Sequence, residues 1–266
     1  MNRLEQLFNT KDKDLLNIYF TAGYPALNST KEVILALEAA GVDLIEIGMP
    51  YSDPLADGPT IQYSSEVALE NGMTLDLLFE QVADARRQSE VPLIMMGYFN
   101  QLMQYGEEAF LKKCQEVGID GLIIPDLPLY EYETSYKDLF KKYNIQISFL
   151  ITPQTSEDRI LKIDELSEGF IYMVSNSSIT GAKSSISDRQ LVYFDRINAM
   201  NLKSPKMIGF GISSYETYSQ ACSFANGAII GSAFIKALKS SSNIAETTKE
   251  FVDKIKGRIA NSTATV

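Results

Sequence analysis

Gly41-Val42-Asp43-Leu44-Ile45-Glu46-Ile47-Gly48 joins a glycine turn to a short apolar run that carries one carboxylate. Gly118-Ile119-Asp120-Gly121-Leu122-Ile123-Ile124 echoes it without the carboxylate. In both, the run lacks polar alternation, the pattern of a parallel strand covered on both faces. Working outward, comparable runs stand at residues 16–21, 44–48, 93–97, 121–124, 147–150, 170–174, 206–209 and 228–231. Between them lie stretches with helical spacing. Asn28-Ser29-Thr30 can cap a helix carrying Val33, Ile34 and Leu37. Phe110, Cys114 and Val117 share a face, as do Ile160, Ile163 and Leu166. Tyr215, Tyr218, Cys222 and Ala225 make another stripe, and Phe251, Ile255 and Ile259 make the last. Eight strand–helix units over 266 residues predict one α/β domain, a (β/α)8 TIM barrel spanning 1–266 with an N-terminal helix. A doubly wound sheet is the alternative, though it has more often about five to seven strands.

Two connections are longer than a barrel requires, those after strands 2 and 6. The first contains residues 51–62 and an extra helical stretch before a helix starting near Thr74; the second is the Ser/Thr/Asn-rich segment 175–187. Loops leaving strand C-termini build the active-site face of a barrel, and long ones often act as lids.

Composition narrows the chemistry. Lys plus Arg is 24 and Asp plus Glu 34, a formal charge of −10, which disfavours nucleic acid and anionic membranes as partners. An anionic substrate would have to be held by local backbone donors. There is no histidine, which removes Ser-His-Asp and Cys-His triads and the usual zinc motifs. The two cysteines, Cys114 and Cys222, are too few for a structural zinc site, so no metal is expected. Met1-Asn2-Arg3-Leu4-Glu5 lacks an apolar signal core, and no apolar run reaches the roughly 18 residues of a membrane span. A cytoplasmic location is the expectation.

Acid–base work then falls to carboxylates. Glu46 interrupts an apolar strand, where desolvation would raise its pKa into the range useful for proton transfer; a structural glutamate bonded within the barrel is the other reading. The loop from Pro50 to Thr60 leaves the same strand, stiffened by Pro50, Pro54 and Pro59, and carries Asp53 and Asp57. Gly209-Phe210-Gly211-Ile212-Ser213 and Gly231-Ser232 follow strands seven and eight, the usual phosphate cradle of barrel enzymes. No lysine stands at the C-terminal end of a strand, which argues against a Schiff-base aldolase. Tyr172 and Tyr98 are candidate pocket walls.

The run from Leu44 through Gly48-Met49-Pro50-Tyr51-Ser52-Asp53-Pro54-Leu55-Ala56-Asp57-Gly58-Pro59-Thr60 to Gln62 resembles the signature of the tryptophan synthase alpha chain family. So do Tyr19-Phe20-Thr21-Ala22-Gly23-Tyr24-Pro25, Gly97-Tyr98-Phe99-Asn100, Pro125-Asp126-Leu127-Pro128, Ile179-Thr180-Gly181, Gly209-Phe210-Gly211-Ile212-Ser213 and Gly231-Ser232-Ala233. The resemblance implies a lyase that splits indole-3-glycerol phosphate into indole and glyceraldehyde 3-phosphate. It implies Glu46 as the acid–base residue, with Asp57 contacting the indole N–H. Gly181, Gly211, Gly231 and Ser232 are expected around the phosphate, and Tyr172, Tyr98, Thr180 and Phe210 elsewhere around the substrate. No cofactor is expected in this chain; pyridoxal phosphate would sit in a partner beta chain, in an alpha2-beta2 heterotetramer. Residues 51–59, residues 126–130 and the mouth around Gln101 are the expected contact surfaces. The chain departs from the family pattern at Asn176, Ser178 and Gln101, where relatives commonly carry arginine, glycine and proline. Rivals are another phosphate-binding barrel enzyme, such as a sugar-phosphate isomerase or indole-glycerol-phosphate synthase, and a non-catalytic barrel that binds an indole or phosphate ligand.

Overall fold

A computed structural model describes residues 2–175, 187–209 and 211–259 of the chain. Among these, nine strands form one parallel sheet: β1 (Leu15–Thr21), β2 (Leu44–Gly48), β3 (Leu93–Met96), β4 (Gly121–Ile123), β5 (Gln146–Ile147), β6 (Phe149–Ile151), β7 (Ile171–Val174), β8 (Lys206–Gly209) and β9 (Gly227–Ile230). Their lateral order is β5-β4-β3-β2-β1-β9-β8-β7-β6. The two ends of that row, β5 and β6, belong to one chain segment broken at Ser148. β5 pairs with β4 and β6 pairs with β7, so the segment closes the sheet into a barrel. Ser148 bonds to both neighbours at the break: its N–H donates to Leu122 O at 3.1 Å, and its Oγ accepts from Phe170 N–H at 3.0 Å. The eight expected runs are therefore present, with the fifth recorded as two short strands.

The strands are apolar because both faces are covered. β1, β2, β3 and β9 are buried at every position. Outside them, Val33, Ile34 and Leu37 of helix Ser29–Ala39 and Phe110, Leu111 and Cys114 of helix Glu107–Val117 are fully buried. Two expected helix positions differ. Tyr215 opens its helix on the solvent side, and Ile259 lies past the end of helix Ile244–Ile255, so both are exposed.

The barrel floor is closed by the N-terminal helix, Arg3–Thr10. Asn2 caps it, accepting from Leu4 N–H at 2.9 Å, and Leu4 is fully buried beneath the strands. Asp120 anchors this end, receiving Arg3, Arg86 and the Leu93 N–H. At the opposite end the β2 loop runs into helix Pro59–Glu70, with Pro59 at its first turn, where a missing N–H costs nothing. That loop carries Asp53 and Asp57.

Candidate active site

Side chains alternate across a strand. Asn17, Tyr19 and Thr21 therefore share one face of β1, and Tyr19 stands opposite Glu46 in the β1–β2 register. A Cβ on Gly48 would overlap the Tyr19 hydroxyl, and one on Gly209 would overlap the Tyr172 hydroxyl. These two glycines make room for tyrosines in the barrel mouth.

Glu46 is 1% exposed, and its Oε2 accepts a hydrogen bond from Asn17 Nδ2 at 3.0 Å. Burial pushes its carboxyl from the ordinary 4.5 up to about 8; the Asn17 bond opposes that rise and the nearby Asp57 charge adds to it. Asp57 is also buried. The Tyr98 O–H donates to its Oδ2 at 3.1 Å, while the same phenol oxygen accepts from Ala56 N–H at 2.9 Å. Burial raises Asp57 to about 6, and the Tyr98 bond holds it from going further. Near neutral pH the pair is thus one acid and one carboxylate, the separation that assigns acid and base among coupled groups. Burial, reinforced by these two carboxyl groups, holds the Tyr19 and Tyr172 phenols well above their usual range, so both remain neutral.

Tyr98 also stacks on Tyr51, with ring centroids 5.1 Å apart. Gln101, at the mouth, is turned inward and buried. It accepts from Tyr98 N–H and donates to Pro50 O, both at 3.0 Å, locking the β2 and β3 loops together. Asp126 adds the β4 loop by accepting from Phe99 N–H at 2.9 Å. Asp53, the other loop aspartate, is exposed.

The glycine turns lie beyond β8 and β9. Gly211 has φ +82°, the left-handed region that favours glycine, and a Cβ there would meet nothing within 4 Å. The Ser213 and Ser214 N–H groups are taken by Thr217 Oγ1, both at 3.1 Å. Helix Ser232–Lys239 begins immediately after Gly231, with Ser232 exposed at its N-terminus. The opening N–H groups of a helix have no intrahelical acceptor and favour an anion. Thr180, Gly181 and Phe210 lie outside the described residues, as do Asn176 and Ser178. Among the described residues no group of three or more His, Cys, Asp or Glu could hold a metal ion. No helix among them is long and apolar enough to cross a membrane.

The family profile described as tryptophan synthase alpha chain matches residues 5–263. This chain belongs to that family. The tryptophan synthase alpha chain of Flavobacterium johnsoniae is 57% identical over 256 residues, covering 96% of this chain and 100% of that protein. That of Christiangramia forsetii is 55% identical, covering 96% and 99%. Among solved structures, a chain of the tryptophan synthase complex from Pyrococcus furiosus superposes with TM-score 0.84 at 33% identity, covering 92% of this chain and 99% of that one. A chain of the aminoacrylate-bound tryptophan synthase from M. tuberculosis gives 0.84 at 27%, covering 98% and 100%. The fold is the TIM barrel of these neighbours.

Two residues of the mouth were not singled out as site residues from sequence, Asn17 and Tyr19. Polar side chains at 17, 19 and 21 alternate inside an apolar run, and that period-two signal marks them as sharing one face.

Proposed function

We propose that Glu46 and Asp57 carry the alpha reaction of tryptophan biosynthesis, the cleavage of indole-3-glycerol phosphate to indole and glyceraldehyde 3-phosphate. The chain is a lyase. The observation that supports this assignment of residues is the pair of buried carboxyls in one barrel mouth, raised to about 8 and about 6.

The chemistry needs an electron sink, and the indole ring supplies it. Protonated Glu46 gives its proton to indole C3, and ionised Asp57 accepts from the indole N–H, stabilising the positive charge that spreads onto nitrogen. The Glu46 carboxylate then takes the proton of the hydroxyl on the carbon attached to C3. As that O–H breaks, the carbon–oxygen double bond forms and the carbon–carbon pair returns to the ring, restoring aromaticity. Glu46 ends protonated, ready for the next cycle. Tyr172 and Tyr98 wall the indole site. Gly181, Gly211, Gly231 and Ser232 hold the phosphate and so fix the reacting bond between the carboxyls, with Thr180 and Phe210 as further substrate-binding residues.

The cycle uses no cofactor in this chain; pyridoxal phosphate belongs to a partner beta chain that receives the indole. We place that partner on the mouth face, where Leu55 and Tyr130 are exposed by 89% and 71%, in a cytoplasmic alpha2-beta2 heterotetramer. The chain acts as one domain over 1–266.

A pH profile of kcat/KM for indole release tests the assignment. Active enzyme needs Asp57 ionised and Glu46 protonated, so activity rises through about 6 and falls through about 8. A profile flat from pH 5 to 9, with chemistry rate-limiting, would remove the two carboxyls from the reaction.

A further inference from the structure

A buried carboxyl that changes protonation within each cycle has different needs in its two states. The carboxylate needs donors, while the acid must also place its own O–H on an acceptor. Glu46 is shut off from bulk water, at 1% exposure. The amide that meets it is Asn17, itself fully buried, whose Nδ2 donates to Glu46 Oε2 at 3.0 Å. The other end of that amide, Oδ1, is buried with no hydrogen-bond partner among the described residues. An orphaned buried oxygen costs free energy that an apolar side chain of similar volume, such as leucine, would avoid. The oxygen and nitrogen ends of an amide are nearly alike in shape, and the torsion that exchanges them is broad and two-fold.

We propose that Asn17 is the positioning residue for Glu46 in both protonation states: Nδ2 holds the carboxylate, and a half-turn of the same amide brings Oδ1 round to accept the O–H of the acid. The inference rests on the reading of Glu46 as the proton carrier. Asn17 keeps one geometry for the carboxyl while the proton leaves and returns, and it touches no substrate atom. The titratable groups facing Glu46 among the described residues are Asp57 from the β2 loop, Tyr19 from β1 and Tyr172 from β7. Both phenols stay neutral over the working range, so Asn17 is the group that opposes the rise caused by burial, while the Asp57 charge adds to it.

The test compares wild type, Asn17→Leu and Asn17→Ser in two readouts. One is the pH profile of indole release; the other is the titration of the Glu46 carboxyl carbon by 13C NMR, assigned with Glu46→Gln. The charge-assisted bond to the carboxylate is about twice as strong as the neutral bond to the acid, so losing both in Asn17→Leu raises the pKa on balance, and the alkaline limb and the carbon titration should both move up by about one unit. kcat should fall about tenfold with KM within about twofold, because orientation and not binding is lost. Asn17→Ser, which keeps a hydroxyl that donates and accepts, should show a smaller rise, and it decides the matter if the leucine variant does not fold. A limb and a carbon titration that match wild type in these variants would overturn the proposal, however much kcat falls. Wild type that releases no indole would instead sink the proton-carrier reading, while the carbon titration would still decide whether Asn17 holds the carboxyl.

Discussion

Glu46→Gln should stabilise this protein in alkali while abolishing its chemistry. Folding lifts the Glu46 carboxyl from 4.5 to about 8. Between those values the folded state keeps a proton that the unfolded chain releases. Stability from this group is therefore complete below pH 4.5 and is lost as pH rises through about 8. A rise of 8 − 4.5 = 3.5 units, at about 1.4 kcal/mol each, amounts to about 5 kcal/mol above pH 8 and about 3 kcal/mol at pH 7. Glutamine does not titrate, and its amide still meets Asn17. The variant should thus unfold like wild type at pH 4, gain on it up to about pH 8 and hold that gain at pH 9. Urea titrations followed by far-UV circular dichroism suit a chain with no tryptophan. Parallel stability curves for the two proteins across that range would refute the reasoning, since they would mean that the carboxyl titrates alike in both states.

Other outcomes follow from the same geometry. Tyr98→Phe removes the donor that restrains Asp57, so the acid limb of the indole-release profile should climb from about 6 by roughly one unit. Gly209→Ala places a methyl on the Tyr172 hydroxyl, and should cost about 1–3 kcal/mol by urea titration and raise the KM for substrate. Asp120→Ala leaves the guanidinium of Arg86 half-paired at the barrel floor, which should cost about 3–5 kcal/mol of stability, with kcat per folded molecule within about twofold of wild type.

Much of this molecule was legible in the chain because its information is local. A parallel barrel strand needs apolar residues on both faces, so the eight runs stood out, and Glu46 stood out inside one of them by its charge. Asp57 was legible through the stiff loop that carries it. What escaped reading depends on contacts across the sequence. The break at Ser148 follows from that residue bonding to Leu122 on one side and Phe170 on the other. Gln101 lies in the connection after β3, and local spacing does not say which way its side chain turns. Only the approach of the Pro50 carbonyl and the Tyr98 N–H gives its amide a buried place. Asn17 meets Glu46 from 29 residues away, a pairing that strand register creates and local spacing does not.

The most direct measurement is the rate of indole release from indole-3-glycerol phosphate, with and without a beta chain, for wild type, Glu46→Gln and Asp57→Asn. Wild type should turn over, at a rate that rises with the partner. kcat should fall by about 10²–10⁴-fold in Glu46→Gln and by about 10²–10³-fold in Asp57→Asn, with circular dichroism spectra unchanged. Glu46→Gln releasing indole at the wild-type rate would contradict the proton-carrier role of Glu46.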